Sequence, residues 1–217
     1  MKQKDIFLSG EGNAWFARNA AALAQHQLPD SDPLLQEIVS LKGHFSKSDG
    51  VVKILEVGCG PGLRLDWLQQ NMGWECHGVE PSGEAVGRAI SVGVQAQVGT
   101  ADELPFSDKS FDVVIFGFCL YLCDRDDLFK IAAEADRVLK NPGWLLLKDF
   151  YSATPTARLY HHAVGVYSYK MDYKTLFTWN PDYSVYSHRV AHHTSETYTD
   201  DRNEWVATSI LRKCRPS

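Results

Sequence analysis

The sequence contains no run of apolar residues that approaches the roughly 20 needed to cross a lipid bilayer. After the charged start Met1-Lys2-Gln3-Lys4-Asp5, no apolar segment long enough for a secretory signal follows. These absences predict a cytoplasmic protein that does not act in a membrane.

The chain also has no excess of positive charge and no Cys-x-x-Cys pair. Its 22 basic residues are outnumbered by 27 acidic ones, which gives a formal net charge of -5. Because nucleic-acid binding needs a basic face to neutralise phosphates, this balance argues against a nucleic-acid partner. The five cysteines form no Cys-x-x-Cys pair and have no histidines at zinc-finger spacing, which favours free thiols in a reducing compartment.

The sequence does contain a regular alternation of short apolar runs and amphipathic segments. Its 217 residues suffice for one sizeable core and are few for two enzymatic domains. Strands are expected at residues 51–57, 75–79, 95–98, 111–118, 144–149, 184–192 and 204–212. With helices between them, the pattern predicts one α/β domain with a mostly parallel, seven-stranded sheet flanked by helices. Ligands of such sheets bind at the carboxyl ends of the strands.

Composition divides this single domain, residues 1–217, into three regions. Residues 1–50 contain two expected helices, one capped by Asn13 and one begun by Asp32-Pro33, and are expected to form an N-terminal lid. Residues 51–150 hold the alternating core that would bind a cofactor. Residues 151–217 combine closing strands with an aromatic-rich stretch that is expected to cap the carboxyl edge on the acceptor side.

The most specific motif is an apolar strand that ends in glycines, Ile54-Leu55-Glu56-Val57-Gly58-Cys59-Gly60-Pro61-Gly62. Glycines at such a turn let the backbone approach a nucleotide-like ligand and adopt a positive φ. Glu80 ends the next strand, 20 positions after Gly60, where a nucleotide-binding βαβ unit places the carboxylate that accepts hydrogen bonds from ribose hydroxyls. Glu80 alone would indicate a solvated acid at a strand end, but with the glycine turn it predicts ribose binding.

Together with later segments, this motif resembles the class I S-adenosylmethionine-dependent methyltransferases, in particular small bacterial proteins of the methyltransferase-11 type. The matching segments are Glu56 to Gly62, Glu80, Thr100-Ala101-Asp102-Glu103-Leu104-Pro105-Phe106, Phe111-Asp112-Val113-Val114 and Arg137-Val138-Leu139-Lys140-Asn141-Pro142-Gly143. The resemblance covers about residues 51–149. It implies a Rossmann-like fold, S-adenosyl-L-methionine as the cofactor and S-adenosyl-L-homocysteine as the product.

The resemblance also implies which residues contact the cofactor. The implied contacts are Glu56 at the methionyl amino group, Gly58, Gly60 and Gly62 beside the methionine, Glu80 at the ribose, Ala101 and Asp102 at the adenine, and Phe118 near the donor. Trp15 and Arg18 are expected in a lid over the cofactor, since an arginine on an Ala-rich helix suits a carboxylate or phosphate. The alternative is a helix face that only packs on the sheet.

Two departures from the family pattern leave the acceptor and the catalytic base open. Small-molecule members often carry a histidine after the fourth strand, but this chain has Cys119-Leu120-Tyr121-Leu122-Cys123 there. The candidate bases for a hydroxyl acceptor are therefore His161, His162 and Tyr121, whereas a neutral amine would need no base. The chain also lacks the Asn-Pro-Pro-Tyr motif of many nucleic-acid methylases.

These features predict methyl transfer to an oxygen or nitrogen atom of a small molecule such as a sugar or secondary metabolite. The aromatic segment would then contact the acceptor, since tyrosines offer apolar faces with a polar tip. The same segment is equally suited to cover the core without contacting an acceptor, or to form a homodimer interface.

Two other functions remain as alternatives. An NAD(P)-dependent oxidoreductase carries G-x-G-x-x-G/A, but Leu63 occupies the third small position here, and Pro61 and Leu63 suit a pyrophosphate poorly. A catalytically inactive protein that binds S-adenosylmethionine would keep the same fold. No metal is predicted, because the adjacent histidines His161-His162 and His192-His193 would point to opposite faces of a strand.

Overall fold

The computed structural model describes residues 2–24, 28–30, 32–45 and 50–215. The helices are α1 (Gln3–Ile6), α2 (Gly12–Ala24), α3 (Pro33–Ser40), α4 (Leu63–Met72), α5 (Gly83–Ser91), α6 (Leu128–Val138) and α7 (Thr175–Thr178). The strands are β1 (Lys53–Val57), β2 (Glu75–Glu80), β3 (Gln95–Val98), β4 (Phe111–Gly117), β5 (Leu139–Phe150), β6 (Thr156–Leu159), β7 (Tyr167–Lys170), β8 (Tyr183–His192) and β9 (Trp205–Lys213). A π-helical turn, Phe7–Glu11, joins α1 to α2.

Seven of the strands form one sheet in the order β3-β2-β1-β4-β5-β9-β8. Strands β1 to β5 pair in parallel, and β9 pairs antiparallel with both β5 and β8. The prediction of a seven-stranded, mostly parallel sheet flanked by helices is therefore confirmed. The switch in strand order between β1 and β4 opens a crevice at the carboxyl ends of the strands, where ligands of this architecture bind.

Strand β4 is apolar throughout because it lies in the middle of the sheet and is covered on both faces. Val113 and Ile115 pack in one core layer with α3 and α4. Val114 and Phe116 point the other way and pack with α6 and α7. The two-residue period of the strand thus connects both core layers and holds the crevice in a rigid frame.

The helix caps only partly follow the sequence-based expectation. Asp32 accepts a hydrogen bond from the Leu35 amide at 3.0 Å and caps α3 as predicted. The prediction that Asn13 caps the helix around it is wrong, since α2 begins at Gly12. The Asn13 side chain instead accepts hydrogen bonds from Ser82 Oγ at 2.8 Å and from the Glu84 amide at 3.2 Å, which ties α2 to the first turn of α5.

Neither helix α1 nor the separate β6–β7 hairpin was predicted from the sequence. Both lie over the carboxyl edge of the sheet and contact each other there. The Gln3 side chain accepts from the Tyr167 amide at 2.6 Å and donates to the Tyr167 carbonyl at 3.2 Å. The rings of Phe7 and Tyr160 lie 6.3 Å apart. Within the described residues, no helix has both the length and the apolar character that crossing a membrane requires.

Candidate functional site

A cavity of about 420 Å³ opens at the carboxyl ends of β1, β2 and β4. Its walls come from the turn between β1 and α4, the end of β2, the loop after β3, the segment after β4 and the N-terminal helices. Nine of the predicted site residues line it: Trp15, Glu56, Gly58, Gly60, Glu80, Ala101, Asp102, Phe118 and Tyr121. The other four, Arg18, Gly62, His161 and His162, lie outside the lining.

The glycine turn meets two different steric demands. Gly58 has a φ of +74°, and a Cβ there would lie 2.5 Å from Cys119 Cβ, so the cavity floor requires glycine at this point. Gly62 has a φ of +76° and immediately precedes α4, where a Cβ would lie 3.0 Å from Ala89 Cβ. Gly62 therefore allows α4 to pack closely on α5 and does not border the cavity.

Glu80 is buried at the end of β2 and holds the glycine turn in place. Its Oε2 accepts a hydrogen bond from the Gly60 amide at 3.0 Å, and its Oε1 accepts from the Ser82 amide at 3.0 Å. Burial raises the pKa of Glu80 despite these two amides. Each carboxylate oxygen accepts more than one hydrogen bond, so Glu80 retains acceptor capacity toward the cavity.

A buried ion-pair network also lines the cavity. The Arg64 guanidinium pairs with Glu56 Oε1 and donates to Asp32 Oδ2 at 2.8 Å. Glu56 Oε2 is buried and has no partner among the described residues. Burial raises the pKa of Glu56 to about 7 in spite of the Arg64 charge. Because Glu56 lines the cavity, its unpartnered oxygen is suited to a cationic donor group on a ligand.

Asp102 is a third acidic side chain that lines the cavity. Its carboxylate pairs with Lys4, accepts from Thr100 Oγ1 at 2.8 Å and lies 3.2 Å from Lys130 Nζ. Burial alone would raise the pKa of Asp102, but the hydrogen bonds from Lys4, Thr100 and Lys130 lower it to about 2. Asp102 is therefore ionised at neutral pH and already bound to Lys4.

Lys4 reaches Asp102 because the N-terminal segment is fastened to the chain that follows β4. The amides of Gln3 and Lys4 donate to the Asp124 carboxylate at 2.9 and 3.0 Å. The Gln3 side chain donates to the Leu122 carbonyl at 2.8 Å, and Lys2 and Lys4 pair with Asp127. These contacts place the N-terminal helices as a cover over the cavity.

Aromatic side chains cluster in one part of the cavity lining, termed the aromatic end. The Tyr121 and Phe150 rings lie 5.0 Å apart, and the Phe118 and Phe150 rings 5.4 Å apart. Phe118 has a φ of +55°, a strained conformation for a residue with a side chain, and it follows directly on β4. Trp15 adds a further apolar face from α2. The acidic side chains Glu56, Glu80 and Asp102 and these aromatic rings therefore line one continuous space.

The candidate bases fall in different environments. Burial raises the pKa of Tyr121 strongly, so its phenol stays protonated at neutral pH and is suited to donate a hydrogen bond rather than to accept a proton. His161 and His162 are exposed in the connection between β6 and β7. Arg18 pairs with Glu11 and donates to the Tyr160 hydroxyl at 3.0 Å, outside the cavity. The catalytic roles of these residues stay predictions.

Several residues that line the cavity, among them Lys4 and Arg64, were not predicted as site residues from the sequence. Arg64 did carry a signal, since a cation in the first turn of a helix is disfavoured by the helix dipole and indicates a nearby acid. Lys4 carried none, because it meets Asp102 across 98 positions of sequence.

The paired histidines at the end of β8 correct one argument made from the sequence. His192 is the last residue of β8 and His193 lies in the following turn, so the alternation of a strand does not apply to them. Their rings stack at 4.9 Å with an interplanar angle of 25°. The premise that these histidines point to opposite faces is therefore wrong.

Asp149 lies next to the aromatic end of the cavity, and we expect its contribution to the free energy of unfolding to depend on pH. Its carboxylate accepts from the Phe150 amide at 2.7 Å and from the Tyr121 amide at 3.2 Å, yet burial raises its pKa to about 7. A raised carboxyl pKa means that the folded state binds a proton that the unfolded state releases. Between about pH 5 and 7 this group should therefore lower stability by up to about 1.4 kcal/mol per pH unit as the pH rises.

The measurement is chemical denaturation of wild-type protein and Asp149→Asn at pH 5, 6, 7 and 8. The variant should lose less stability from pH 5 to 7 than wild type does. Asp108→Asn, at a side chain that is 72% exposed, is the matched control and should keep the wild-type slope. Parallel curves for wild type and Asp149→Asn would contradict the assignment.

Comparison with known proteins agrees with this geometry. A family model described as a methyltransferase domain matches residues 55–147, which run from β1 through most of β5 and include the glycine turn, Glu80 and Asp102. This match and the relatives described below support a class I S-adenosylmethionine-dependent methyltransferase family for this part of the chain. The resemblance predicted from the motifs is therefore confirmed.

Individual relatives show how far the sequence similarity extends. An uncharacterized methyltransferase, YcgJ of Bacillus subtilis, is 36% identical over 111 residues, which cover 46% of this chain and 41% of the relative. A fatty-acid O-methyltransferase of Mycolicibacterium smegmatis is 31% identical over 102 residues, covering 45% of this chain and 36% of the relative. The chain thus spans less than half the length of these relatives.

The fold is shared more widely than the sequence. The crystal structure of a Burkholderia thailandensis 1,6-didemethyltoxoflavin-N1-methyltransferase, with 1,6-didemethyltoxoflavin and S-adenosylhomocysteine bound, superposes with a TM-score of 0.72. The match covers 97% of this chain and 89% of that chain at 15% identity. At that identity the likeness establishes the Rossmann-like fold, including the regions outside residues 55–147.

Proposed function

We propose that this protein transfers a methyl group from S-adenosylmethionine to an oxygen or nitrogen atom of a small, uncharged acceptor such as a sugar or an aromatic secondary metabolite. The observation that carries the proposal is the buried, unpartnered Glu56 Oε2 in a cavity that Glu80 also lines. An amino group and a ribose are the two donor-bearing parts that such a pair of carboxylates suits.

The charge of the cavity supports a cationic methyl donor. Two basic and six acidic side chains line the space, namely Lys4 and Arg64 against Asp32, Glu56, Glu80, Asp102, Asp124 and Asp127. An acidic lining attracts a sulfonium ion and repels anions. It therefore favours a neutral acceptor over a carboxylate such as the fatty acid named for the Mycolicibacterium relative.

The aromatic end supports an acceptor with a flat or apolar face. Phe118, Tyr121, Phe150 and Trp15 surround the space that a methyl acceptor would share with the donor. Aromatic faces pack against planar rings and against the apolar faces of sugars. The 1,6-didemethyltoxoflavin named for the Burkholderia structure has planar rings. Small heterocycles are therefore the first group of acceptors to assay.

The proposed chemistry follows from positioning. S-adenosylmethionine, when bound, supplies an electrophilic methyl group on a sulfonium. The chain would hold it with Glu56, Glu80 and Asp102, orient the acceptor in line against the aromatic end, and exclude water with the N-terminal cover. A neutral amine needs no base, whereas a hydroxyl needs one. Of the predicted candidates, Tyr121 lines the cavity with a phenol that stays protonated, and His161 and His162 lie outside the lining.

Calorimetric titration tests the cofactor. We expect saturable binding of S-adenosylhomocysteine and no comparable heat from NADH, because Pro61 and Leu63 both line the turn where a pyrophosphate would sit. Saturable NADH binding without a response to S-adenosylhomocysteine would replace the proposal by an oxidoreductase.

Transfer of label tests catalysis. Incubation with methyl-labelled S-adenosylmethionine and fractionated small-molecule extract should place label in a neutral compound. Label that appears only in carboxylates would overturn the acceptor class, and cofactor binding without any transfer would favour the inactive alternative. Cytoplasmic location and a homodimer stay predictions.

A further inference from the structure

A second cluster of ligand-type side chains lies outside the methyl-donor cavity. His192 ends β8, His193 follows it, and Glu204 immediately precedes β9. Glu204 Oε2 lies 2.6 Å from His193 Nδ1 and 3.7 Å from His192 Nε2. One ligand atom from each of the three residues falls within 4.8 Å of the other two. None of the three lines the cavity.

We propose that His192, His193 and Glu204 bind a divalent transition-metal ion, with Zn²⁺ as the reference ion. Two imidazoles and one carboxylate are a ligand set that zinc, cobalt and nickel share. The cluster is partly exposed, so water can complete the coordination. It forms a separate site from the one proposed to bind the methyl donor.

The distances are compatible with this ion after a small local movement. With zinc–nitrogen and zinc–oxygen bonds of about 2.0–2.2 Å, ligand atoms at tetrahedral positions lie about 3.4 Å apart. The 3.7 Å between Glu204 and His192 already fits, whereas the 2.6 Å between Glu204 and His193 is a hydrogen bond that must open. Glu204 ends an exposed 3₁₀ turn, so its side chain is free to swing.

The protons of the two imidazoles balance without an added base. In the neutral ring of His193 the Nδ1 proton faces Glu204, and on metal binding it shifts to Nε2. His192 Nδ1 accepts from the Thr194 amide at 3.1 Å, which places its proton on Nε2. On binding, this proton moves to Nδ1, where Thr194 Oγ1 at 3.0 Å accepts it and fixes the ring. The Thr194 amide then loses its hydrogen bond to the His192 ring and donates to water instead, because Thr194 is exposed.

An ion at this point would close the long connection between the last two strands. The His193 amide donates to the Glu204 carbonyl at 2.9 Å, so the ends of residues 193–204 already meet. A metal that binds the folded chain more tightly than the unfolded chain raises the thermal midpoint as its concentration increases. The Phe150 ring lies 6.4 Å from the His193 ring, so the ion would lie near the aromatic end of the cavity.

The test is calorimetric titration of the untagged full chain with ZnCl₂, supported by Co²⁺ absorption spectra and melting curves. Cys214 is an exposed thiol and is replaced in all samples by Cys214→Ser. We expect one ion per chain and a higher melting temperature. His193→Ala and Glu204→Gln should each weaken binding at least tenfold, while S-adenosylhomocysteine titration and circular dichroism stay at the parent level.

The chain offers a matched control for adventitious binding by histidine pairs. His161 and His162 are also adjacent and exposed, and their rings lie 5.5 Å apart, but within the described part of the chain they belong to no such cluster. The double variant His161→Ala/His162→Ala should keep zinc affinity within twofold. The proposal would be overturned if zinc binding is not saturable or if the His161→Ala/His162→Ala control loses zinc affinity. Full zinc affinity in Glu204→Gln would also overturn it.

Discussion

Replacing Arg64 by methionine should lower the free energy of unfolding by about 3–5 kcal/mol, the cost expected when one partner of a buried ion pair is removed. The guanidinium is the shared partner of Asp32 and Glu56, and the side chains of all three are mostly buried. Methionine fills much of the same space with no charge. Two buried carboxylates are then left without a cation, and burial already raises the pKa of Glu56 to about 7.

Urea denaturation at pH 7.5 measures this loss. Arg88→Met, at an exposed position of α5, is the matched control and should change stability by less than about 0.5 kcal/mol. Glu56→Gln added to Arg64→Met should recover part of the loss, because one uncompensated charge disappears. A loss in Arg64→Met as small as that of the control would mean that water screens the network.

Replacing Glu80 by glutamine should weaken S-adenosylhomocysteine binding by about 1.5–3 kcal/mol, roughly ten- to hundredfold in Kd, the range for hydrogen bonds to a charged group. Two effects combine in this change. The amide loses one acceptor oxygen toward the ribose hydroxyls. Its NH₂ group must also face either the Gly60 amide or the Ser82 amide, each of which now donates to a carboxylate oxygen at 3.0 Å.

Calorimetric titration of the folded variant measures the change in affinity. Glu84→Gln, in the first turn of α5 and exposed, removes a neighbouring charge outside the cavity and should keep the affinity within twofold. If Glu80→Gln binds as tightly as Glu84→Gln, then Glu80 serves only to hold the glycine turn.

The alternation of apolar runs and helical segments was enough to predict the sheet. The expected strand at residues 95–98 matches β3, and that at 184–192 differs from β8 by one residue. Larger differences occur where tertiary contacts decide the boundary. Strand β5 extends back to Leu139 because that residue pairs with Phe111 across an irregularity in the ladder.

The short elements over the cavity could not be predicted in the same way. Helix α1 and strands β6 and β7 are four residues long each, which is too short for a hydrophobic period to be visible. They are held by distant partners instead. Gln3 contacts Tyr167 across 164 positions, and such a contact leaves no local pattern in the sequence.

The sequence by itself determined the fold class and indicated that the glycine turn and Glu80 meet at one cavity, because a strand, a glycine turn and a strand-end acid are local features with fixed spacing. Only the tertiary structure decided that Arg64 bridges Glu56 and Asp32, that Lys4 pairs with Asp102, and that His192 and His193 meet Glu204. These are contacts between side chains that are distant in sequence or lie in turns. Their geometry depends on how the elements pack, and packing is a property of the whole chain.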